Sequence, residues 1–532
     1  MTTQSFNLTT EKWIPVIDRD FQMQELSLIE LFKQWESLRE IRGDNPPTTL
    51  ALYRFLLAIM HQAYQGPRDT DHWNDIFQDN ARKVIDYLQS KQDRFDLLDS
   101  SRPFMQDTAL TLEKAVPVYA IHTMSTSEVF SHEHEWSGYS ISLAEAARLL
   151  VRLQGVDITS LRAFYVGQDS GNRSAVNTPT INAANVLLRG KSLKETLMLN
   201  LMQYSPENEI PSAVSGEDLP TWETETGYSG QPKKEIPKGY IHYLTFPWRR
   251  LRLFLEVAEM GRVKQLAITM GNSLPDNVEA RQWECGIAYR EGKPVRLSLH
   301  RQLWRDADSF LLTADKQTRP RIVDWLAELR SEEMISDTVV FEILGMSADQ
   351  AKPLGWSSVR FSAPIQFVTD LELAQSLKSA IAIAESHQQI FRSFKGSPYF
   401  SMAEVLKNGE PEKLANALDG ESRYWADLDR AFPELLYALP QDSQTGSDGI
   451  TRYGSKTLPA WTQTVQTAAL QAFIESIEPI RNYQARAAAL QILERKLADL
   501  RLSPAERKAQ NQKATKKNQR KEQAVSKQET KS

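Results

Sequence analysis

The chain has 532 residues, of which 41% are hydrophobic and 25% are charged. This composition indicates a globular protein with two or three hydrophobic cores and excludes a fibre, a mini-protein and a mostly disordered chain. The sequence shows neither an apolar run of about 18 to 20 residues, which a membrane span needs, nor a secretion signal, so we expect a cytoplasmic protein. The single cysteine, Cys285, excludes intramolecular disulfides and cysteine-rich metal sites.

The net charge of −5 is unevenly distributed along the chain. From Ser503 to Ser532, nine Lys and Arg stand against three Asp and Glu, so this tail carries +6 and the rest of the chain −11. The tail has almost no large apolar residue and is predicted to be disordered on its own. Its two open interpretations are a solubilising tail and a contact to nucleic-acid phosphates.

The spacing of apolar and turn-forming residues predicts the elements of the first 300 residues. In chain order they are an extended pair over 6–16, a helix over 48–64, a long surface loop over 206–239, strands over 241–248 and 251–257, and a hairpin whose turn is 290–294.

After about Phe367 only helices are predicted. Four apolar stripes with helical spacing cover residues 373–391, 425–439, 461–477 and 483–500, and Pro433 is expected to kink or divide the second helix. We therefore predict an α+β fold: a mixed α/β N-terminal domain with an antiparallel sheet over 1–366, a C-terminal four-helix bundle over 367–502, and a disordered basic tail over 503–532.

Catalytic motifs are missing from the sequence. There is no phosphate-binding Walker loop, no dinucleotide-binding glycine motif and no His-Glu-x-x-His zinc motif. The only dense group of metal-ligand residues is His132, Glu133 and His134, and a metal site would need further ligands that the sequence does not show. We predict no enzymatic activity, no cofactor and no metal, while a metal-dependent nuclease or hydrolase built around these three residues stays an alternative.

Two stretches are candidates for ligand contact. Residues 167–174 contain Gly167 and Gly171, which permit close approach of the backbone to a ligand. Residues 240–264 combine basic and aromatic side chains, which suits phosphates and nucleotide faces; the alternative is that the aromatics pack in the core and the arginines cover the solvent face. The members of this second stretch are Tyr240, His242, Tyr243, Phe246, Trp248, Arg249, Arg250, Arg252, Arg262 and Lys264.

Four segments resemble a known family in their order and spacing. They are residues 6–16 with Trp-Ile-Pro, residues 25–32, residues 95–106 with Arg-Pro-Phe-Met-Gln, and residues 345–353. The chain resembles the CasA-type large subunit of the type I-E CRISPR surveillance complex, Cascade, along roughly residues 6–502.

The resemblance implies the same division into a mixed α/β domain and a four-helix bundle, and a non-catalytic DNA-binding subunit. Such a subunit recognises the protospacer-adjacent motif on target double-stranded DNA, mostly from the minor groove, promotes duplex opening and R-loop formation, and recruits the helicase-nuclease. The implied partners are the CRISPR RNA-bearing Cascade subunits, the target DNA and that helicase-nuclease, with no membrane. A scaffold protein without direct DNA reading stays an alternative.

The resemblance also assigns residues. Gln350, within Asp349-Gln350-Ala351-Lys352, matches a glutamine wedge that splits the first base pairs. The candidate for a lysine finger is Lys264, with Arg262 and Arg281 as competitors.

Two loops complete the assignment. A glycine-rich loop against the minor groove corresponds to Gly167, Gln168, Gly171 and Asn172, although residues 168–170 interrupt the glycine run. A loop that contacts the RNA-bearing end of the complex corresponds to about residues 125–139, with Phe130 as the candidate anchor.

Overall fold

The chain divides into two compact units, Met1–Thr369 and Asp370–Ser532. The structure, a computed structural model, describes residues 5–122, 138–161, 174–256, 261–298, 303–311 and 317–501.

The first unit mixes helices and strands. Its described α-helices are α1 (Leu28–Gln34), α2 (Pro46–Tyr64), α3 (Thr70–Gln78), α4 (Arg82–Ser90), α5 (Tyr119–His122), α6 (Leu143–Gly155), α7 (Leu193–Asn200), α8 (Tyr240–Leu244), α9 (Ala307–Leu311), α10 (Arg321–Ser331) and α11 (Gln366–Thr369). Its described strands are β1 (Ile14–Asp18), β2 (Met23–Leu26), β3 (Leu38–Ile41), β4 (Ala115–Pro117), β5 (Ile141–Ser142), β6 (Ser160–Leu161), β7 (Ser174–Ala175), β8 (Asn185–Arg189), β9 (Arg249–Leu255), β10 (Arg262–Met270), β11 (Tyr289–Arg290), β12 (Lys293–Pro294), β13 (Gln317–Thr318), β14 (Thr338–Asp349) and β15 (Lys352–Pro364).

These strands form several small sheets rather than one large sheet. The strand orders are β2-β1-β3, β15-β14-β8, β12-β11-β13 and β4-β10-β5 with β9 also on β10, and β6 pairs with β7. All of these ladders are antiparallel. The predicted mixture of helices with antiparallel sheets is therefore confirmed.

Helix α2 is the centre of the core of the first unit. The helix predicted over 48–64 is confirmed, but it begins at Pro46, because the Asn45 side chain accepts a hydrogen bond from the backbone N–H of Thr48 (2.9 Å) and two prolines open the helix. Phe55 of α2 packs against four aromatic rings at centroid distances of 5.6 to 6.4 Å, namely Trp13, Phe95, Phe104 and Trp222. Three of these rings belong to the segments that carry the family resemblance, which are therefore core-packing segments.

The segment 206–239 was predicted as a surface loop, and this prediction is wrong for its middle part. Trp222 is buried in the aromatic core, and Asp218 and Tyr228 are also buried. The segment has no α-helix or strand, but it covers α2 and so belongs to the core.

The strand predicted over 241–248 is also wrong. The chain instead forms the short helix α8, and the strand begins at Arg249. The carboxylate of Asp218 accepts hydrogen bonds from the backbone N–H groups of Ile241 (3.0 Å) and His242 (2.8 Å). This cap comes from a residue more than 20 positions away, so local alternation could not reveal it.

Two further predictions concern a hairpin near Arg290 and an extended pair over 6–16. The predicted hairpin near Arg290 is confirmed, but its turn is shorter than the predicted 290–294 and consists of Glu291 and Gly292; both have positive φ (52° and 74°), as a type I′ turn requires. The predicted extended pair over 6–16 is wrong: Ile14–Asp18 pairs with Met23–Leu26 instead.

The second unit is largely helical. Its described elements are α12 (Leu371–Gln388), α13 (Pro398–Leu406), α14 (Pro411–Leu418), α15 (Gly420–Gln441), β16 (Ser443–Thr445), β17 (Thr451–Tyr453), α16 (Thr457–Ile477) and α17 (Tyr483–Arg501). The expectation of helices alone is wrong, because β16 and β17 form an antiparallel hairpin. Pro433 does not divide α15, whose buried face, including Leu428 and Leu436, packs continuously. The four-helix bundle stays a prediction.

A buried arginine joins several segments of the first unit. Arg249, at the start of β9, is fully buried, and its guanidinium donates to Asp157 Oδ2 (2.6 Å) and to the carbonyls of Trp248 (2.8 Å), Ile158 (3.1 Å) and Val176 (2.8 Å). Asp157 and Trp248 are buried, so this ion pair and its hydrogen bonds are costly to break.

We predict that Arg249→Met destabilises the first unit by about 3 to 5 kcal/mol, because the buried Asp157 carboxylate loses its ion pair with Arg249. Urea unfolding followed by tryptophan fluorescence measures this loss. Arg82→Met is the matched control: Arg82 is 77% exposed and lies 3.5 Å from Asp79, so its loss should cost less than about 1 kcal/mol. Equal shifts for the two variants would contradict the role of Arg249.

Candidate nucleic-acid interface

The hairpin formed by β14 and β15 carries Gln350 at its tip. The two strands have 12 and 13 residues, which corresponds to a length of about 40 Å. Strand β8 pairs only with Val340–Leu344, so the outer part of the hairpin extends beyond the three-stranded region. Asp349, Gln350, Ala351 and Lys352 are all exposed. The structure thus brings three of the predicted site residues together at the apex of a long two-stranded arm.

Gln350 occupies an unusual backbone conformation. It is the first of the two residues that connect the paired positions Asp349 and Lys352, and its φ is +51°. Residues other than glycine, asparagine and aspartate rarely adopt this left-handed region, at a cost of roughly 1 kcal/mol. This conformation makes Gln350 a candidate functional residue.

The base of the same hairpin is held by a group of mostly buried charges. Glu342 of β14 forms ion pairs with Arg189 of β8 and with Arg360 of β15 (3.2 Å). Arg360 also contacts Glu40 of β3 (2.7 Å), and the hydroxyl of Tyr53 in α2 accepts a hydrogen bond from Arg189. The arm is therefore anchored to a helix and to a second sheet. None of these residues was singled out from the sequence, because each is an ordinary charged residue until the fold brings them together.

Lys264 lies next to the two ends of residues 123–137, the segment that contains Phe130. Its backbone carbonyl accepts from the N–H of Val118 (2.9 Å), just before α5, and its neighbour Val263 pairs with Ile141 of β5. The side chain is 47% exposed and forms an ion pair with Glu256 (3.0 Å). A Cβ placed on Gly138 would lie 3.9 Å from Lys264 Nζ. Lys264 is therefore available for contact beside both ends of residues 123–137.

The two ends of that segment are tied together. His122 Nδ1 and the hydroxyl of Tyr139 are hydrogen-bonded at 2.6 Å. Arg262 donates to Ser140 Oγ (2.7 Å) and to the Ser140 carbonyl, so its guanidinium has a structural role. Burial lowers the pKa of His122 below its ordinary value, which keeps the ring neutral in this contact. Of the two basic candidates on β10, Lys264 is the one with an exposed charge.

The remaining predicted loop residues fall outside the described residues. They are Gly167, Gln168, Gly171, Asn172 and Phe130. The described chain resumes at β7, and the carbonyl of Val176 bonds to Arg249, which pairs with Met270 of β10. Met270 lies about 20 Å along the strand from Lys264. The exit of the glycine-containing segment and the lysine candidate are thus at opposite ends of β10, and Gln350 lies on a different sheet.

The interpretation of residues 240–264 as a basic and aromatic surface is wrong for most of its members. Seven of them are buried: Tyr240, His242, Tyr243, Phe246, Trp248, Arg249 and Arg250. The guanidinium of Arg250 donates to the carbonyl of Gly230 (2.8 Å) and to Asn272 Oδ1 (2.7 Å), so it bonds to groups of the protein interior. A count of basic residues cannot distinguish an arginine that bonds buried carbonyls from one that faces a ligand.

Within the described ranges, no three His, Cys, Asp or Glu residues are grouped closely enough to hold a metal ion. The sequence-derived candidates His132, Glu133 and His134 lie outside those ranges. The same part of the chain contains no helix that is both long and apolar enough to cross a membrane.

The charges at the hairpin base predict a pH dependence. Burial by itself would raise the pKa of Glu342, but Arg189, Ser358 and Arg360 hold that pKa below its ordinary value of about 4.5. Ionised Glu342 therefore stabilises the fold above about pH 4.5, and this contribution is lost as the pH falls through the lower folded-state pKa. The urea midpoints of wild type and Glu342→Gln should differ most near neutral pH and should converge at pH values below the folded-state pKa of Glu342. A difference that does not change with pH would contradict this assignment.

Comparisons with known proteins agree over nearly the whole chain. The family model of the CRISPR-associated protein Cse1 matches residues 7–472. A curated relative, the CRISPR-associated protein CasA/Cse1 of Thermus thermophilus, is 27% identical over 505 residues, which cover 88% of this chain and 92% of the relative.

Solved structures show the same fold. The structure of CasA (Cse1) from Thermus thermophilus has a TM-score of 0.74 at 25% identity and covers 93% of this chain and 98% of that chain. Cse1 from Thermobifida fusca has a TM-score of 0.77 at 26% identity, with coverages of 94% and 99%. A chain of a CRISPR RNA-guided surveillance complex, at 21% identity and a TM-score of 0.73, covers 94% of this chain and 100% of that chain, and shares the fold. The resemblance predicted from the sequence is confirmed, and the chain belongs to the Cse1 (CasA) family of CRISPR-associated proteins.

Proposed function

We propose that this protein is the large subunit of a type I-E CRISPR RNA-guided surveillance complex. It recognises the protospacer-adjacent motif on target double-stranded DNA, promotes duplex opening and R-loop formation, and recruits the helicase-nuclease, without catalysing a reaction itself. Its partners are the CRISPR RNA-bearing subunits, the target duplex and that helicase-nuclease. Membership of the Cse1 family supports this assignment, and the proposed location is cytoplasmic.

The observation that carries the DNA-opening role is the exposed apex of the β14–β15 hairpin. Gln350 is the first residue of a two-residue turn at the end of a long arm, and its exposed side chain can enter between bases. The amide of Gln350 can hydrogen-bond to base edges, while its flat head replaces a lost stacking partner. The backbone strain at this residue is consistent with a side chain kept for function.

Charge at the apex favours contact with bases over contact with phosphates. The carboxylate of Asp349 and the ammonium of Lys352 are opposite each other across the turn, so their formal charges cancel. A neutral apex gains little from counterion release on DNA. We therefore assign Gln350 to base contact and duplex opening, with Lys352 providing at most a single phosphate contact.

The proposed motif reader combines Lys264 with the glycine-containing segment. Lys264 has an exposed ammonium group, and Gly167, Gln168, Gly171 and Asn172 supply backbone groups for the minor groove. Phe130 is the proposed anchor toward the RNA-bearing subunits. Because the minor groove carries a degenerate code, we expect several related motifs to be tolerated.

The role of Gln350 can be tested with three variants in the assembled complex. Gln350→Ala should slow opening of the target duplex by about tenfold, since the loss of one good base contact is worth about 1 to 3 kcal/mol. Gln350→Gly relieves the backbone strain and should be equally slow if the side chain is what matters. Gln24→Ala, which changes another exposed glutamine, is the control. A fluorescent base beside the motif reports opening; normal opening by Gln350→Ala would refute the wedge role.

Lys264 should contribute a salt-dependent contact. We predict that Lys264→Ala weakens binding to motif-bearing duplex and makes the plot of log affinity against log salt concentration shallower by about 0.9. Lys234→Ala is the control, because Lys234 is similarly exposed (58%) and forms an ion pair with Asp276 (2.7 Å). Identical slopes for wild type and Lys264→Ala, measured by fluorescence anisotropy, would remove Lys264 from the interface.

A further inference from the structure

A single asparagine holds the outer part of the β14–β15 hairpin from the side. The backbone N–H of Asn182 donates to the carbonyl of Met346 (2.9 Å), and Asn182 Oδ1 accepts from the N–H of Ala348 (2.7 Å). The pairing of β8 with β14 stops at Leu344, and beyond that point Asn182 bonds to the same edge of β14. Its second bond lies two residues from Gln350.

The ladder between β14 and β15 is irregular near the apex. The register shifts between Ser347 and Ala348, which marks a β-bulge. Ala348 is opposite Pro353, and its N–H is directed away from β15, toward Asn182 Oδ1. Next to the bulge, β14 is therefore also held from the side of Asn182.

Asn182 itself is rigidly placed. Its φ is +59°, a conformation that asparagine tolerates better than most residues. The side chain of nearby Asn185 donates to the carbonyls of Thr180 (3.0 Å) and Ala183 (2.9 Å) on either side of it. A Cβ on Gly345 would lie only 2.9 Å from the Ala183 carbonyl, so the segment and β14 are in close contact. Asn182 thus holds the hairpin tip in a defined position relative to the rest of the first unit.

We propose that Asn182 is the positioning residue that fixes the Gln350–Ala351 turn for duplex opening. This inference rests on the proposed function of Gln350. Asn182 does not need to touch DNA. It keeps the apex in one position, so that the side chain of Gln350 meets the base pair next to the motif without the turn first sampling other orientations.

The test uses the assembled complex and two variants of Asn182. Asn182→Gly keeps the positive φ and loses the acceptor, and it should slow opening of a matched duplex by about tenfold. Asn182→Asp keeps both the acceptor and the tolerance of positive φ, and its opening rate should stay within about twofold of wild type. Binding to a target that is already unpaired beside the motif should be unchanged in both variants. Equal loss of binding to the pre-opened target would show a folding defect and overturn the proposal, as would slow opening by Asn182→Asp.

A double variant tests whether Asn182 acts through Gln350. If it does, adding Asn182→Gly to Gln350→Ala slows opening no further than Gln350→Ala alone. Additive slowing overturns the inference. Slow opening by Gln350→Ala together with normal opening by Asn182→Gly overturns the role of Asn182 alone. Normal opening by Gln350→Ala overturns the proposed function of Gln350 and the inference with it.

Discussion

The first unit depends on one buried cation. The guanidinium of Arg249 binds Asp157 and the carbonyls of Ile158 and Val176, and so joins β9 to the chain on both sides of residues 162–173. From Asp157 the hydrogen bonds continue: its N–H donates to Thr178 Oγ1 (3.0 Å), and the hydroxyl of Thr180 donates to the Gly155 carbonyl (2.8 Å). Two residues further along the chain lies Asn182, which contacts the hairpin. A series of hydrogen bonds and covalent bonds thus connects the buried guanidinium of Arg249 to the hairpin that carries the exposed Gln350–Ala351 turn.

The distribution of charge follows from the same architecture. Most of the basic residues between 240 and 250 neutralise buried carboxylates or bond to buried carbonyls, so they do not form a cationic surface. The exposed apex is neutral, and the chain outside the tail is acidic. In the proposed function, this charge distribution leaves most of the DNA affinity to other subunits of the complex.

Local sequence patterns predicted the elements that local forces determine. Helix α2, with its Asn45 cap and paired prolines, and the turn at Glu291 and Gly292 are examples. The family resemblance singled out Gln350, which the fold places in the turn of the β14–β15 hairpin. Two of the failures involve a partner distant in sequence, since Asp218 caps α8 and Trp222 packs on Phe55. Asn182 and Glu342 carried no signal, because their importance arises only from the neighbours that folding gives them.

The single cysteine has a practical consequence. Cys285 is buried, its thiol donates to the carbonyl of Trp283 (3.2 Å), and burial raises the pKa of that thiol above its ordinary value. A thiol that is both enclosed and protonated reacts slowly with maleimides. The natural sequence is therefore already a suitable background for site-specific labelling, since one cysteine introduced on an exposed position would be the preferred target for a dye. The hairpin arm could then be followed by energy transfer in single complexes without first removing a native residue from the core.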